Sequence, residues 1–208
     1  VNKNRAGRMD FDLNLGQASY GYGALKNAWL GAAGYTTDGN SLRNYMGTKN
    51  TAFGYEAMTS TNIGKENVAV GYRALYNNQS YNGMVAIGFE SMSNFTSEYN
   101  SWDQNNTAAN QLAYATSKDG FNTAVGYQSL KGSTTITSNT GLYNTAIGYQ
   151  SIFVNTSGAS NTALGLQAGT YGTALTTGNN NTFLGTQSYS TVNTVSNSTA
   201  IGYQASVD

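Results

Sequence analysis

The 208-residue chain contains no Cys, no Pro and no His, and only 10% of its side chains are charged. Without Cys or His there is no disulfide, no thiol nucleophile, no His-based triad and no imidazole metal site. No run of about 18 apolar residues occurs, so nothing in the chain reads as a membrane-spanning helix. Ten basic side chains balance ten acidic ones, and that neutrality argues against nucleic acid as a partner. Charge is also unevenly placed: every Lys and Arg lies at or before Lys131, and Asp208 is the single charge after it. A long surface without charge cannot repel its own copies. It reads either as a neutral Ser/Thr/Asn-coated shaft open to O-glycans or as a face packed against other subunits. The chain opens at Val1 with neither Met nor an apolar leader, as expected of a mature processed product or a fragment.

Gly, Asn, Ser, Thr and Tyr are abundant instead, and they recur in one phrase: a polar residue, then Ala, a large apolar residue (Φ), Gly and usually Tyr. Examples are Asn50-Thr-Ala-Phe-Gly54-Tyr, Asn122-Thr-Ala-Val-Gly126-Tyr, Asn144-Thr-Ala-Ile-Gly148-Tyr and Ser198-Thr-Ala-Ile-Gly202-Tyr. Gly54, Gly71, Gly88, Gly126, Gly148, Gly165, Gly185 and Gly202 mark the eight copies, spaced by 17 to 22 residues apart from a gap of 38 between Gly88 and Gly126. A worn copy, Asn106-Thr-Ala-Ala-Asn110, sits inside that gap. Two helices and a turn need about 30 residues, so this period leaves room only for short strands and turns. A unit so short cannot bury its apolar residues alone and must stack on its neighbours. The reading is an all-β chain, a parallel β-solenoid of about nine to ten short coils.

Within the phrase, alternation places Thr, Φ and Tyr on one face and Ala and Gly on the other. Neither face is polar, so one is expected to line the coil interior and the other to meet something else, with the Ala/Gly faces or the Φ columns zipping chains together. Gly removes a Cβ where backbones approach, and Asn at the phrase start can hydrogen-bond to the Asn above and below. The spacers between phrases hold turn-forming residues and the insertions, as loops on a constant scaffold do.

Two segments are set apart. Residues 1–49 form a divergent N-terminal cap or assembly segment ahead of the repeats at 50–208. In that segment Leu15-Gly16-Gln17-Ala18 and Asn27-Ala-Trp29-Leu30-Gly31 look like degenerate copies. A strand signal at Phe11, Leu13 and Leu15 follows the basic, flexible stretch Val1 to Arg8 and is expected to dock on the last coil of the next subunit. The second segment is an insertion at about 93–120, in which Phe95, Tyr99, Trp102 and Asp103 are the candidate ligand contacts; exposed aromatics with carboxylates suit sugar binding. The competing reading packs this insertion on the coil or a sister chain.

The phrases Asn144-Thr-Ala-Ile-Gly-Tyr-Gln and Ser198-Thr-Ala-Ile-Gly-Tyr-Gln-Ala resemble the repeat of trimeric autotransporter adhesin heads, and the similar repeats that precede chaperone domains in phage tail fibres. The resemblance covers roughly residues 50 to 205, with longer and less regular spacing than in the adhesin heads. It implies a left-handed β-roll, three chains about a common axis, and an extracellular, cell-surface or virion location. The expected function is a non-enzymatic structural subunit of an extracellular fibre or adhesive fibre head, assembling as a homotrimer or an end-to-end filament. The alternative is a glycan- or receptor-binding module of a phage tail fibre or bacterial adhesin.

Other chemistry is weakly signalled. Glu98 with Asp103 or Glu90 is the one local carboxylate cluster of interest for glycoside hydrolysis. Acids do not recur with the period, so no calcium site is expected, and Gly21-x-Gly23 lacks the context of a nucleotide loop. No cofactor is expected. An ice-ordering Thr column at Thr51, Thr123, Thr145, Thr162, Thr182 and Thr199 is disfavoured, because Thr alternates inward beside Φ and Tyr or is interrupted by Val68 and Val85.

Overall fold

A three-residue strand is all that a Thr-Ala-Φ segment can make before the following glycine bends the chain. In the computed structural model, which describes residues 8–9, 18–25, 49–60, 64–78, 81–95, 118–134 and 139–208, each phrase forms such a strand. In chain order the strands are β1 (Arg8–Met9), β2 (Ala18–Tyr20), β3 (Thr51–Phe53), β4 (Val68–Val70), β5 (Tyr81–Asn82), β6 (Val85–Ile87) and β7 (Lys118–Asp119). They continue as β8 (Thr123–Val125), β9 (Thr145–Ile147), β10 (Thr162–Leu164), β11 (Thr182–Leu184), β12 (Tyr189–Ser190), β13 (Thr199–Ile201) and β14 (Ser206–Val207). No helix occurs among the described residues.

The main sheet runs β1-β2-β3-β4-β6-β8-β9-β10-β11-β13. Its nine strands from β2 onward are parallel, and like positions pair with like: Ala146 lies beside Ala124 and Ala163, Ile147 beside Val125 and Leu164. Spacer residues add two small parallel sheets, β5 with β7 and β12 with β14. Successive parallel strands one repeat apart, with a core between strand and spacer, fit a β-solenoid.

The core follows from the phrase. Ala52, Ala69, Ala86, Ala124, Ala146 and Ala163 form one fully buried column, and Met58, Leu75, Met92, Leu130 and Ile152 form a second. Small residues in the strand column leave room for long ones from the turn. The exception confirms the volume rule. In β11 the Ala position holds Phe183, and in the preceding coil Gly169 takes the place of the long residue; a Cβ on Gly169 would sit 3.2 Å from the Phe183 ring.

Asn at the phrase start is also buried. The side-chain amide of Asn161 donates to Asn144 Oδ1 at 3.1 Å and to the Gly178 carbonyl at 2.8 Å, while the Asn161 backbone N–H donates to the same Oδ1 at 2.9 Å. Asn67 and Asn181 repeat this arrangement on the Asn one coil before. Each Asn therefore ties its neighbour's strand to its own spacer, satisfying backbone groups that the narrow interior hides from water.

Three expectations change. The strand after β6 in the sheet is β8, with Val85 beside Thr123. The copy expected at Asn106-Thr-Ala-Ala-Asn110 lies outside the described residues, and β6 and β8 are direct neighbours in the sheet. Ser93 and Gly120, the expected ends of the insertion, belong to the stack: Asn94 N–H donates to the Lys131 carbonyl, and Lys118–Asp119 pairs with Tyr81–Asn82. At the N-terminal end, the repeat begins before residue 50, with Tyr20 beside Phe53 and Gly21, not Gly16, in the glycine column. Arg8, placed in the flexible stretch by its sequence, pairs antiparallel with Ser19. Phe11, Leu13, Leu15 and the segment Asn27 to Gly31 lie outside the described residues.

Candidate functional site

The glycine column positions everything outside it. Gly126 has φ +131°, and a Cβ there would lie 2.5 Å from the carbonyl oxygen of Gly148 in the next coil. Only glycine permits both the turn and the approach. Beyond it the chain bends, so each coil presents a sheet face before the glycine and a corner after it.

On the sheet face the Thr and Φ positions point away from the core. Phe53, Ile87, Ile147, Leu164, Leu184 and Ile201 are exposed large apolar residues, and half-buried Val70 and Val125 complete the column between them. The Thr positions beside them alternate with buried Ala, and Thr51, Thr162 and Thr199 are exposed. The expectation that Thr turns inward is therefore corrected: Ala takes the inward position of the pleat. The bulky Φ column alongside makes the face unlike a regular hydroxyl array.

At the corner, the residue after glycine forms a stack of rings. Tyr22, Tyr55, Tyr72, Phe89, Tyr127 and Tyr149 follow one another with centroids 4.8 to 5.4 Å apart and planes within 22°. Each ring covers its neighbour's face, which leaves edges and hydroxyls to the solvent. The next position carries a polar column in left-handed backbone conformation, from Glu56 through Arg73, Glu90, Gln128, Gln150, Gln167 and Gln187 to Gln204. Glu56 pairs with Arg73 at 2.7 Å and Glu90 with Lys131 at 2.6 Å. Above them, Gln150 donates to Gln128 at 2.9 Å, Gln187 to Gln167 at 3.3 Å and Gln204 to Gln187 at 3.1 Å. Burial raises the pKa of the Glu90 carboxyl, but hydrogen bonds from Lys131 and Gln128 outweigh it and hold the group below the usual carboxylate range.

The candidate ligand contacts do not come together. Phe95 is fully buried in the core, at the position where other coils carry a buried Asn such as Asn78. It is a packing residue and not a surface contact, a correction that follows from Ser93 to Phe95 still belonging to the coil. Tyr99, Trp102, Asp103 and Glu98 lie outside the described residues. Among the described residues no group of three His, Cys, Asp or Glu is placed to hold a metal ion, and no helix is long and apolar enough to cross a membrane. The aromatic and amide columns had a sequence signal that the reading used only for face assignment: Tyr-Gln after glycine, repeated at the coil period. No protein-family model, curated protein or solved structure matches the chain.

Proposed function

We propose that the chain is a non-enzymatic structural subunit of an extracellular fibre or adhesive fibre head, held to copies of itself through the Thr/Φ face. The observation that carries this reading is the unbroken outward Φ column, which continues in register across all nine parallel strands. Contiguous apolar surface of this kind marks interaction sites on soluble proteins. Eight steps of about 4.8 Å make a stripe roughly 40 Å long and, at about 3.3 Å per residue, about 10 Å wide, roughly half of the ~800 Å² per partner of a stable interface, with the flanking residues of each coil left to supply the rest. With a second copy as occupant, the absence of charge after Lys131 removes the repulsion that would oppose it. Three chains about an axis parallel to the stripe would hide it in a closed assembly.

The test is the mass in solution of the wild type and of a Leu164→Asn/Leu184→Asn variant. Both side chains are exposed, so the fold and its circular dichroism should persist while the oligomer dissociates. A wild type that stays monomeric at high concentration, or a variant of unchanged mass, would refute the interface.

A further inference from the structure

The corner stripe from Gln128 to Gln204 is a second surface, separate from the Thr/Φ face, and we propose that it binds a neutral, extended β-1,4-linked polysaccharide lying along the solenoid axis, one sugar per coil. Five consecutive coils each contribute a glutamine, at Gln128, Gln150, Gln167, Gln187 and Gln204. Four of them add a hydroxyl beside it, from Tyr127, Tyr149, Thr186 and Tyr203.

Three physical features point to that ligand. The first is spacing. Coils advance by about 4.8 Å, and the Tyr127 and Tyr149 rings are 5.2 Å apart; each pyranose of a straight β-1,4 chain advances by nearly the same step, so one sugar meets each coil, and because successive rings are turned over, the same edge recurs at every second coil. A helical α-1,4 chain curves away from such a row. The second is preorganisation. The amides are bonded as the pair Gln128–Gln150 and the run Gln167–Gln187–Gln204; each bond uses one N–H and one acceptor site, which leaves Gln150 and Gln187 a second donor and the acceptors a second lone pair for sugar hydroxyls, while the other Gln204 donor reaches the Tyr171 hydroxyl at 3.5 Å. Ordering costs are thus met within the folded chain, and weak contacts add along the row. The third is charge: no ionised side chain occurs between Gly132 and Val207, and at the Gln128 end the nearby Glu90 carboxylate is paired with Lys131, which together suit a neutral polymer. Tyr127 and Tyr149 cover one another's faces, which leaves their hydroxyl edges to the sugar, while Tyr203, 71% exposed, also offers its phenol.

The experiment titrates the full chain with cellobiose, cellotetraose, cellopentaose and cellohexaose by calorimetry, with maltohexaose as the α-linked control. Affinity should climb with each added sugar, level off at five, and be at least tenfold weaker for maltohexaose. A Tyr127→Phe/Tyr149→Phe/Tyr203→Phe variant keeps the rings but removes the hydroxyls, and a Gln150→Ala/Gln187→Ala variant breaks the amide row on the surface. Each should weaken cellohexaose at least tenfold with the thermal midpoint little changed. No saturable binding of cellohexaose, equal binding of maltohexaose, or full-strength binding by both variants would overturn the assignment. Light scattering on the same samples reports the oligomer separately, so failure here is distinguishable from failure of the Thr/Φ interface.

Discussion

Asparagine 144 illustrates how much one residue holds in a coil this narrow. Its amide donates to Asn122 Oδ1 at 3.2 Å and the Gly158 carbonyl at 2.9 Å, and its Oδ1 accepts from Asn161 N–H at 2.9 Å. Asn144→Ala strands several buried groups, each costing about 1–3 kcal/mol, and should lower the thermal midpoint sharply or prevent folding. Backbone strain acts at the same scale. Ile152 has φ +43°, where Leu75 and Leu130 occupy the equivalent sites at +53° and +48°. A β-branched residue is least suited to that region, so Ile152→Leu should hold or raise the midpoint, although core substitutions usually lower it. Glycine differs by position: Gly126→Ala meets the next coil's carbonyl, whereas a Cβ on Gly202 would have Ala205 Cβ at 3.9 Å as its nearest contact. Both variants carry the cost of a positive φ, but Gly126→Ala should lose far more stability in a denaturant titration.

At the scale of the coil, Phe183 and Gly169 act as one unit shared by two neighbours. Phe183→Ala should cost about 3–5 kcal/mol through the cavity it leaves. Adding Gly169→Leu, the residue type found at Leu75 and Leu130, should recover part of that loss, which a double-mutant cycle by chemical denaturation would measure. Ionisation of buried groups limits the pH range of individual coils. Burial pushes the Tyr81 hydroxyl up to about 12. The unfolded chain ionises first, so this coil's stability is intact below pH about 10 and falls as pH rises from there towards about 12. Tyr81→Phe should flatten that alkaline loss in thermal melts. Glu90 has the opposite sign: its depressed pKa gives stability that is present above about pH 4.5 and lost as pH falls through the folded value, so Glu90→Gln should flatten the acid limb.

Over the whole molecule, stacking was legible in the sequence because a glycine-terminated phrase recurs at a constant period, and the inward Ala column follows from strand alternation. Where the stack begins was not: Gly16 and Gly21 both follow an apolar residue, and only pairing of Tyr20 with Phe53 decides between them. Nor could residue spacing show that β6 pairs directly with β8, since a gap of 38 between Gly88 and Gly126 fits either one long spacer or an added coil. The compensation between Phe183 and Gly169 was hidden because it joins different coils. β6 pairs directly with β8, and Phe95 and Lys118 on either side of residues 96–117 belong to the stack. In the neighbouring coil two residues, 79 and 80, separate Asn78 from Tyr81. Replacing 96–117 by two residues should therefore give a chain with an unchanged sheet and a midpoint within a few degrees, since loop length costs little; a molten or unfolded product would show that the insertion supports the stack.

The residue just before each phrase forms pairs that differ from coil to coil. Lys49 meets Glu66 at 3.1 Å, Phe121 stacks on Tyr143 at 5.9 Å, and Asn180 bonds Asn197 at 3.2 Å. Nearly identical repeats invite a folding chain to skip a rung, joining one copy to the wrong successor at little loss in the sheet itself. Here such a skip would set Lys49 against Gly83 and leave Glu66 without its cation. Pairs of this kind would weigh against a skipped rung that the sheet alone tolerates.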